Sequence, residues 1–280
     1  MDGYGGDQIR AAERPHLDAG EPLMQRAADG LARIVGDLLD DPAVRPGDGP
    51  GSVLLLVGSG DNGGDALFAG ARLAADGRRV TVLRVGSRVH AAGLAAALDA
   101  GARLVDDPSG APGQARPAAD VLAAVARWGD RGPAAVATDA ALDADLVLDG
   151  ILGIGVRGAA ALRSPAREVV AAVRQLARDQ RAPFVVAVDV PSGIDVDTGA
   201  IADDHVLQAD VTVTFRGEGR APPRTGRDAR RSDRAGRRRD RCGPAGRGAA
   251  GPHLTVQTPP ASTPCSTSGR ASSQVSTKCR

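Results

Sequence analysis

The sequence predicts a doubly wound α/β fold: a mostly parallel sheet with helices on both faces. Three observations carry that expectation. Apolar runs of strand length alternate with segments of helical periodicity between residues 52 and 215. The clearest run, Ser52-Val-Leu-Leu-Leu-Val57, is uninterrupted by charge, as in strands buried on both faces. Three of the runs end in polar, glycine-bearing loops, which in such sheets gather beyond the carboxyl ends of the strands.

Taken in order, Gln8–Glu13 reads as a short helix. Pro22 opens a longer one, with Leu23, Met24, Ala27, Ala28, Leu31, Ile34, Val35, Leu38 and Leu39 on one stripe, ended by Asp40, Asp41 and Pro42. These helices are expected to pack on the sheet or to form a dimer surface. Ser52–Val57 is the first strand, and Gly58, Gly60, Gly63 and Gly64 follow it in a turn that leads to a helix over Ala66–Ala75. Arg79–Val85 is a second strand, closed by Gly86, and His90–Leu98 a second sheet-covering helix with His90 exposed in its first turn. Residues 104–141 carry no clear period; Leu122–Trp128 is the one helical candidate there. Ala144–Asp149 is a strand running into the loop Gly150–Gly158. Pro165 suits the first turn of a helix that buries Val169, Val170, Val173 and Leu176. Pro183–Asp189 is the next strand, followed by the loop Val190–Gly199, and Ala209–Phe215 is the last and shortest. Residues 1–216 thus read as one Rossmann-like domain. Residues 217–280 are rich in Arg, Gly, Pro and Ser, cannot bury enough surface to offset their chain entropy, and are expected to be a disordered tail.

Composition narrows the function. A hydrophobic fraction of 42% in 280 residues allows a sizeable core, and 2% aromatics make that core aliphatic. A net charge of +1 favours neither nucleic-acid nor membrane binding by the whole molecule. Cys242, Cys265 and Cys279 lie outside the α/β region and show no metal or disulfide spacing. No apolar leader or membrane-length apolar run is present, so a cytoplasmic location is expected.

Gly58-x-Gly60-x-x-Gly63 matches the dinucleotide fingerprint, a weak signal alone. The acidic residue that should hold a ribose at the end of the second strand is missing, and Arg84 in that region would at best suit a 2′-phosphate. No Gly-Lys-Ser/Thr follows, which excludes a P-loop. Asp149 and Asp189 each close an apolar strand with a carboxylate, beside Asp61-Asn62-Gly63-Gly64-Asp65. Asn62, Asp149 and Ser192 are suitable oxygen donors for a hard cation. His205 is isolated and reads as surface.

Three ordered motifs then give a specific resemblance. Asp61–Asp65, Val147-Leu-Asp149-Gly-Ile-Leu-Gly153-Ile-Gly155-Val-Arg157-Gly158 and Val188-Asp189-Val-Pro191-Ser192-Gly193-Ile-Asp195-Val-Asp197-Thr198-Gly199 resemble the loops of NAD(P)H-hydrate epimerases, the YjeF N-terminal domain family. Gln8–Glu13 and Met24–Ala27 resemble its opening helices, so the match spans roughly residues 5–215. The resemblance implies an isomerase acting on NADH or NADPH hydrated at C6 of the nicotinamide ring. It would interconvert the R and S forms so that a partner dehydratase, which takes only S, can repair both. It further implies that Asp61, Asn62, Gly63, Gly64 and Asp65, with Gly153, Ile154, Gly155, Val156, Arg157, Gly158 and Ala159, bind the hydrate. Asp189 would contact it, and Asn62, Asp149 and Ser192 would hold a potassium ion. Inversion at C6 needs proton transfer at oxygen, and the Asp189 carboxylate is the group expected to supply it. An NADP-dependent oxidoreductase and a non-catalytic binding module of the same family are the alternatives.

Two departures stand out. Asp61 replaces the first asparagine of the family loop, adding negative charge close to an anionic ligand. After Phe215 the family pattern Gly-Ala-Lys gives way to Arg216-Gly-Glu-Gly-Arg220. Codons for those five residues exist in which skipping one nucleotide restores Gly-Ala-Lys, so a change of reading frame near codon 216 is expected, with an out-of-frame tail behind it.

Overall fold

Every residue of Ser52–Val57 is buried on both faces, and the rest of the sheet is laid out around this strand. A computed structural model describes residues 6–105, 128, 131–155, 161–179, 182–216 and 253–257. Its strands are β1 (Ser52–Val57), β2 (Arg79–Arg84), β3 (Arg103–Leu104), β4 (Leu146–Gly150), β5 (Phe184–Val188), β6 (Val211–Arg216) and β7 (His253–Gln257). Its helices are α1 (Gly6–Asp18), α2 (Leu23–Asp40), α3 (Asp61–Ala75), α4 (Ala91–Asp99), α5 (Gly132–Leu142) and α6 (Ala166–Arg178). The sheet order is β3-β2-β1-β4-β5-β6-β7. The first six strands run parallel, and β7 is antiparallel to β6.

The period-2 alternation of β1 divides the core. Val53, Leu55 and Val57 face α2, α3 and α4, packing with Leu31, Val35, Leu67 and Leu94. Leu54 and Leu56 face α5 and α6, packing with Val136, Val169, Val170 and Val173. Acidic residues tie strand starts to their neighbours: Asp145 accepts from the Ser52 N–H (2.8 Å) and Asp210 from the Val185 N–H (2.8 Å).

The doubly wound, mostly parallel sheet is as expected, and several details differ. Helix α3 begins at Asp61, not at Ala66, so the polar loop is its first turn. Gly63 and Gly64 read as turn residues by composition. They serve close packing instead: a Cβ on Gly63 would stand 2.4 Å from the Gly58 carbonyl oxygen, and one on Gly64 would stand 3.0 Å from Met24. His90 is not an exposed first-turn residue. It caps α4, its Nδ1 accepting from the Gly93 N–H at 3.0 Å, and its ring sits edge-on to Phe68. α1 starts two residues before the expected Gln8–Glu13 and runs five residues beyond it. The unassigned stretch 104–141 contains α5, and most of the Leu122–Trp128 candidate lies outside the described residues. Within the segment expected to lack structure, residues 253–257 form β7. The rest of it, 217–252 and 258–280, lies outside the described residues.

Candidate functional site

The chain leaves β1 outward to β2 and β3, then returns to β4 on the other side of β1. That reversal opens a crevice at the carboxyl ends of β1 and β4, where doubly wound sheets bind ligands. A cavity of about 990 Å³ occupies it. The loops after β1, β4 and β5 all reach its wall, joined by α1 and by the loop after β2.

The loops interlock through missing side chains. A Cβ on Gly58 would lie 1.8 Å from the Ile151 carbonyl oxygen, and one on Gly153 would lie 2.1 Å from Asn62 Oδ1. The Gly58 N–H donates to the Gly150 carbonyl at 3.1 Å. Asn62, in the first turn of α3, then ties both other loops together. Its Nδ2 donates to the carbonyls of Leu152 (3.1 Å) and Val188 (2.7 Å).

Behind this wall Asp149 and Ser192 are completely buried. Asp149 Oδ1 accepts from Ser192 Oγ at 2.6 Å and from the Ile151 N–H at 3.2 Å; Oδ2 accepts from the Ser192 N–H at 2.9 Å. Ser192 Oγ also accepts from the Leu152 N–H at 2.9 Å. Asn62 and Ser192 therefore both hold the Leu152 backbone, one at its carbonyl and the other at its N–H, and Asp149 stands beside Ser192. Burial pushes the Asp149 carboxyl up, and the Ser192 and Ile151 hydrogen bonds oppose that rise. Among the described residues no salt bridge reaches Asp149. A buried carboxylate without a countercharge, in an oxygen donor set, fits a hard cation of low charge. A half-turn of the Asn62 amide would add Oδ1 to that set only with a cation between it and the Leu152 and Val188 carbonyls that Nδ2 now holds.

Asp189 follows β5 and has φ 67°, the one positive φ at a non-glycine among the described residues. Such backbone strain persists where surrounding structure over-determines it, commonly at functional sites. Here the Asp189 N–H donates to the Val213 carbonyl at 2.8 Å. Burial raises the Asp189 carboxyl above its usual range, and the Ile154 backbone N–H draws it partly back. Asp65 is pushed up to about 7, first by burial and then by Asp61, Asp189 and Glu13. Glu13 is also raised, by burial, Asp189 and Asp61, with Arg10 opposing.

Asp61, Asn62, Asp65, Gly153, Ile154, Gly155 and Asp189 line the cavity. Gly63 and Gly64 do not; they seat α3 against its neighbours. Val156, Arg157, Gly158 and Ala159 lie outside the described residues. Arg10 and Glu13 have no role readable from sequence, although an i, i+3 spacing puts both on one helix face. Arg10 Nη1 donates to the Ile154 carbonyl at 2.9 Å and Nη2 pairs with Asp7 at 2.7 Å. The Gly6 N–H donates to Asp197 at 3.1 Å, so α1 is pinned to the loops after β4 and β5.

Residues 20–218 match the family described as YjeF-related protein N-terminus. The chain belongs to this family. It is 44% identical over 220 residues to the NAD(P)H-hydrate epimerase of Clavibacter michiganensis, covering 79% of this chain and 82% of that one. It is 41% identical over 219 residues to the bifunctional NAD(P)H-hydrate repair enzyme of Mycobacterium tuberculosis, covering 76% of this chain and 37% of that one. A yeast protein of known crystal structure shares the fold, with a TM-score of 0.54 at 18% identity over 76% of this chain and 79% of that one. All three site loops of this family member fall inside the matched region; Arg10 and Glu13 precede it.

Proposed function

We propose that this chain is an isomerase that interconverts the R and S forms of NADH and NADPH hydrated at C6 of the nicotinamide ring. The observation that carries this reading is Asp189. Its backbone is strained, and its carboxyl is partly buried and raised in pKa at the wall of a dinucleotide-sized cavity. The names of the Clavibacter and Mycobacterium relatives support the same activity.

The chemistry asks little of the protein beyond positioned proton transfer. C6 carries a hydroxyl beside the ring nitrogen. Inversion requires either the C6–O bond or the ring C6–N bond to break and to re-form on the other face. On the first route the protonated Asp189 carboxyl gives its proton to the hydroxyl oxygen as that bond breaks and water leaves. Water then adds from the opposite face and returns a proton to the carboxylate. A general acid–base group contributes about 10²–10⁴-fold when its pKa lies near the working pH. A raised Asp189 suits that role. The amides at the start of α3 would take the pyrophosphate.

In this reading Asn62, Asp149 and Ser192 hold a potassium ion, which supplies the missing countercharge to Asp149. A dehydratase is the functional partner, and the bifunctional relative's name supports such a pairing. A cytoplasmic location and self-association through the opening helices belong to the same proposal. Among the described residues no helix is long and apolar enough to cross a membrane.

The deciding experiment mixes the protein with the R hydrate and an S-specific dehydratase. Repair of R is expected to outrun spontaneous epimerisation, and Asp189→Asn to slow it by about 10²-fold or more. Repair at the spontaneous rate with the unaltered chain would refute the proposal.

A further inference from the structure

The cavity's charges are unevenly placed. Glu13, Asp61, Asp65 and Asp189 share one part of it, where α1, α3 and the loop after β5 meet, with Arg10 beside Glu13. The end beneath β2 holds Arg84 and Arg88 instead. Three strand spacings separate β5 from β2 in the sheet, roughly 14 Å at about 4.8 Å each. A ligand that fills both ends must be long and must carry negative charge away from its reacting ring.

Arg84 is held in place for such a ligand. It is the last residue of β2 and lies opposite Val57, the last residue of β1. The backbone beyond it is tied to the β1 turn: the Val85 and Gly86 N–H groups both donate to the Val57 carbonyl (2.9 and 3.2 Å). The Arg88 N–H donates to Ser59 Oγ at 3.1 Å. The Arg84 guanidinium is half-buried, and among the described residues it has neither a hydrogen bond nor an ion pair. A partly desolvated guanidinium with free donors at a cavity wall suits an anion brought from outside. Leu104, Val105 and Trp128 line the cavity at the same end, an apolar wall fit for a purine.

The position selects which anion. In this fold the pyrophosphate belongs at the glycine turn after β1. The end of the next strand reads the adenosine ribose: a carboxylate there binds the free 2′-hydroxyl, and an arginine accommodates a 2′-phosphate. Here the strand ends in arginine, with Ser87 and Arg88 exposed on the loop beyond it. We propose that Arg84, assisted by Arg88, binds the 2′-phosphate of hydrated NADPH and makes this chain prefer that substrate to hydrated NADH. The inference rests on the function proposed above and adds its substrate preference.

Two measurements test it. The first compares kcat/KM for the R forms of NADPH hydrate and NADH hydrate. A preference of about tenfold or more for the phosphorylated form is expected, the scale of one charge-assisted contact. Arg84→Met should reduce that ratio about tenfold, mainly through the KM for NADPH hydrate, and Arg84→Lys should restore part of it. The second needs no turnover: calorimetry with the unaltered chain compares adenosine 2′,5′-bisphosphate with adenosine 5′-monophosphate. The bisphosphate is expected to bind about tenfold tighter, with an advantage that shrinks as salt rises. Equal kcat/KM for the two hydrates would overturn the preference while leaving the epimerase reading intact. If neither hydrate is turned over, the epimerase reading fails and calorimetry alone decides, equal affinity for the two adenylates overturning the phosphate site. Should Arg84→Met not fold, the two comparisons on the unaltered chain still decide for or against the site.

Discussion

At Asp65, burial and three neighbouring carboxylates hold the pKa at about 7, against 3.8 for the free group. Between those values the folded chain binds the proton and the unfolded chain releases it, so folding stability falls as pH rises. The cost sets in above about pH 4 and is complete above about pH 7. Asp65→Asn removes the titration and keeps the shape. Its melting temperature should exceed that of the unaltered chain by more at pH 8 than at pH 5; an equal difference at both would count against the assignment. Asp149 gives a second expectation. If potassium is its countercharge, melting temperature rises with potassium and not with sodium, because a ligand held only by the folded state stabilises it. Asp149→Asn should abolish that rise, and a potassium effect that survives the substitution would point to another site. The convergence of Asn62, Asp149, Asp189 and Ser192 was legible from sequence because polar residues in the loops after apolar strands must meet at the carboxyl edge of this sheet. The raised Asp65 was not, since its cause is burial among groups from three different elements. Nor was the positive φ at Asp189, whose N–H is held by the Val213 carbonyl of the neighbouring strand.

At the scale of elements, the strands were readable because burial on both faces demands unbroken apolar runs, and β1, β2, β4, β5 and β6 fall within two residues of where those runs suggest. α5 was not readable: its alanine-rich sequence shows no apolar stripe, yet Val136, Ala137 and Ala141 are buried. β3 is two residues long and leaves no period to detect. The start of α3 was hidden by its glycines, whose packing role makes a sharp contrast possible. Gly60 has open space where a Cβ would point and an ordinary φ of −100°. Gly60→Ala should therefore cost no more than about 1 kcal/mol, the scale of a weakened N-cap. Gly58→Ala drives a Cβ into the backbone of Ile151, which cannot rotate away, and should cost about 1–3 kcal/mol or more. Denaturant titration of the pair checks this. Equal losses would mean that the two loops do not approach as closely as described.

The whole molecule turns on what covers the last parallel strand. The family match ends at residue 218, two residues beyond β6. β7 then pairs with Thr212–Arg216 along its full length. His253-Leu-Thr-Val-Gln257 is a β-prone island in a region otherwise dominated by Arg, Gly, Ser and Pro. Without it, β6 would present a row of free N–H and C=O groups, a template for pairing with another chain. A chain ending after Arg216 should therefore melt at lower temperature than the full chain and form soluble aggregates, read by thermal melting and by light scattering after size exclusion. The residues after Phe215 make a further comparison possible. If a one-nucleotide change of frame lies near codon 216, the gene read in the other frame supplies Gly-Ala-Lys there and a different continuation at this edge. That version should match or exceed the full chain in stability and stay monodisperse. A shortened chain that is as stable and as monodisperse as the full one would show that the β6 edge needs no cover. β7 would then be an addition to a sheet already complete at six strands.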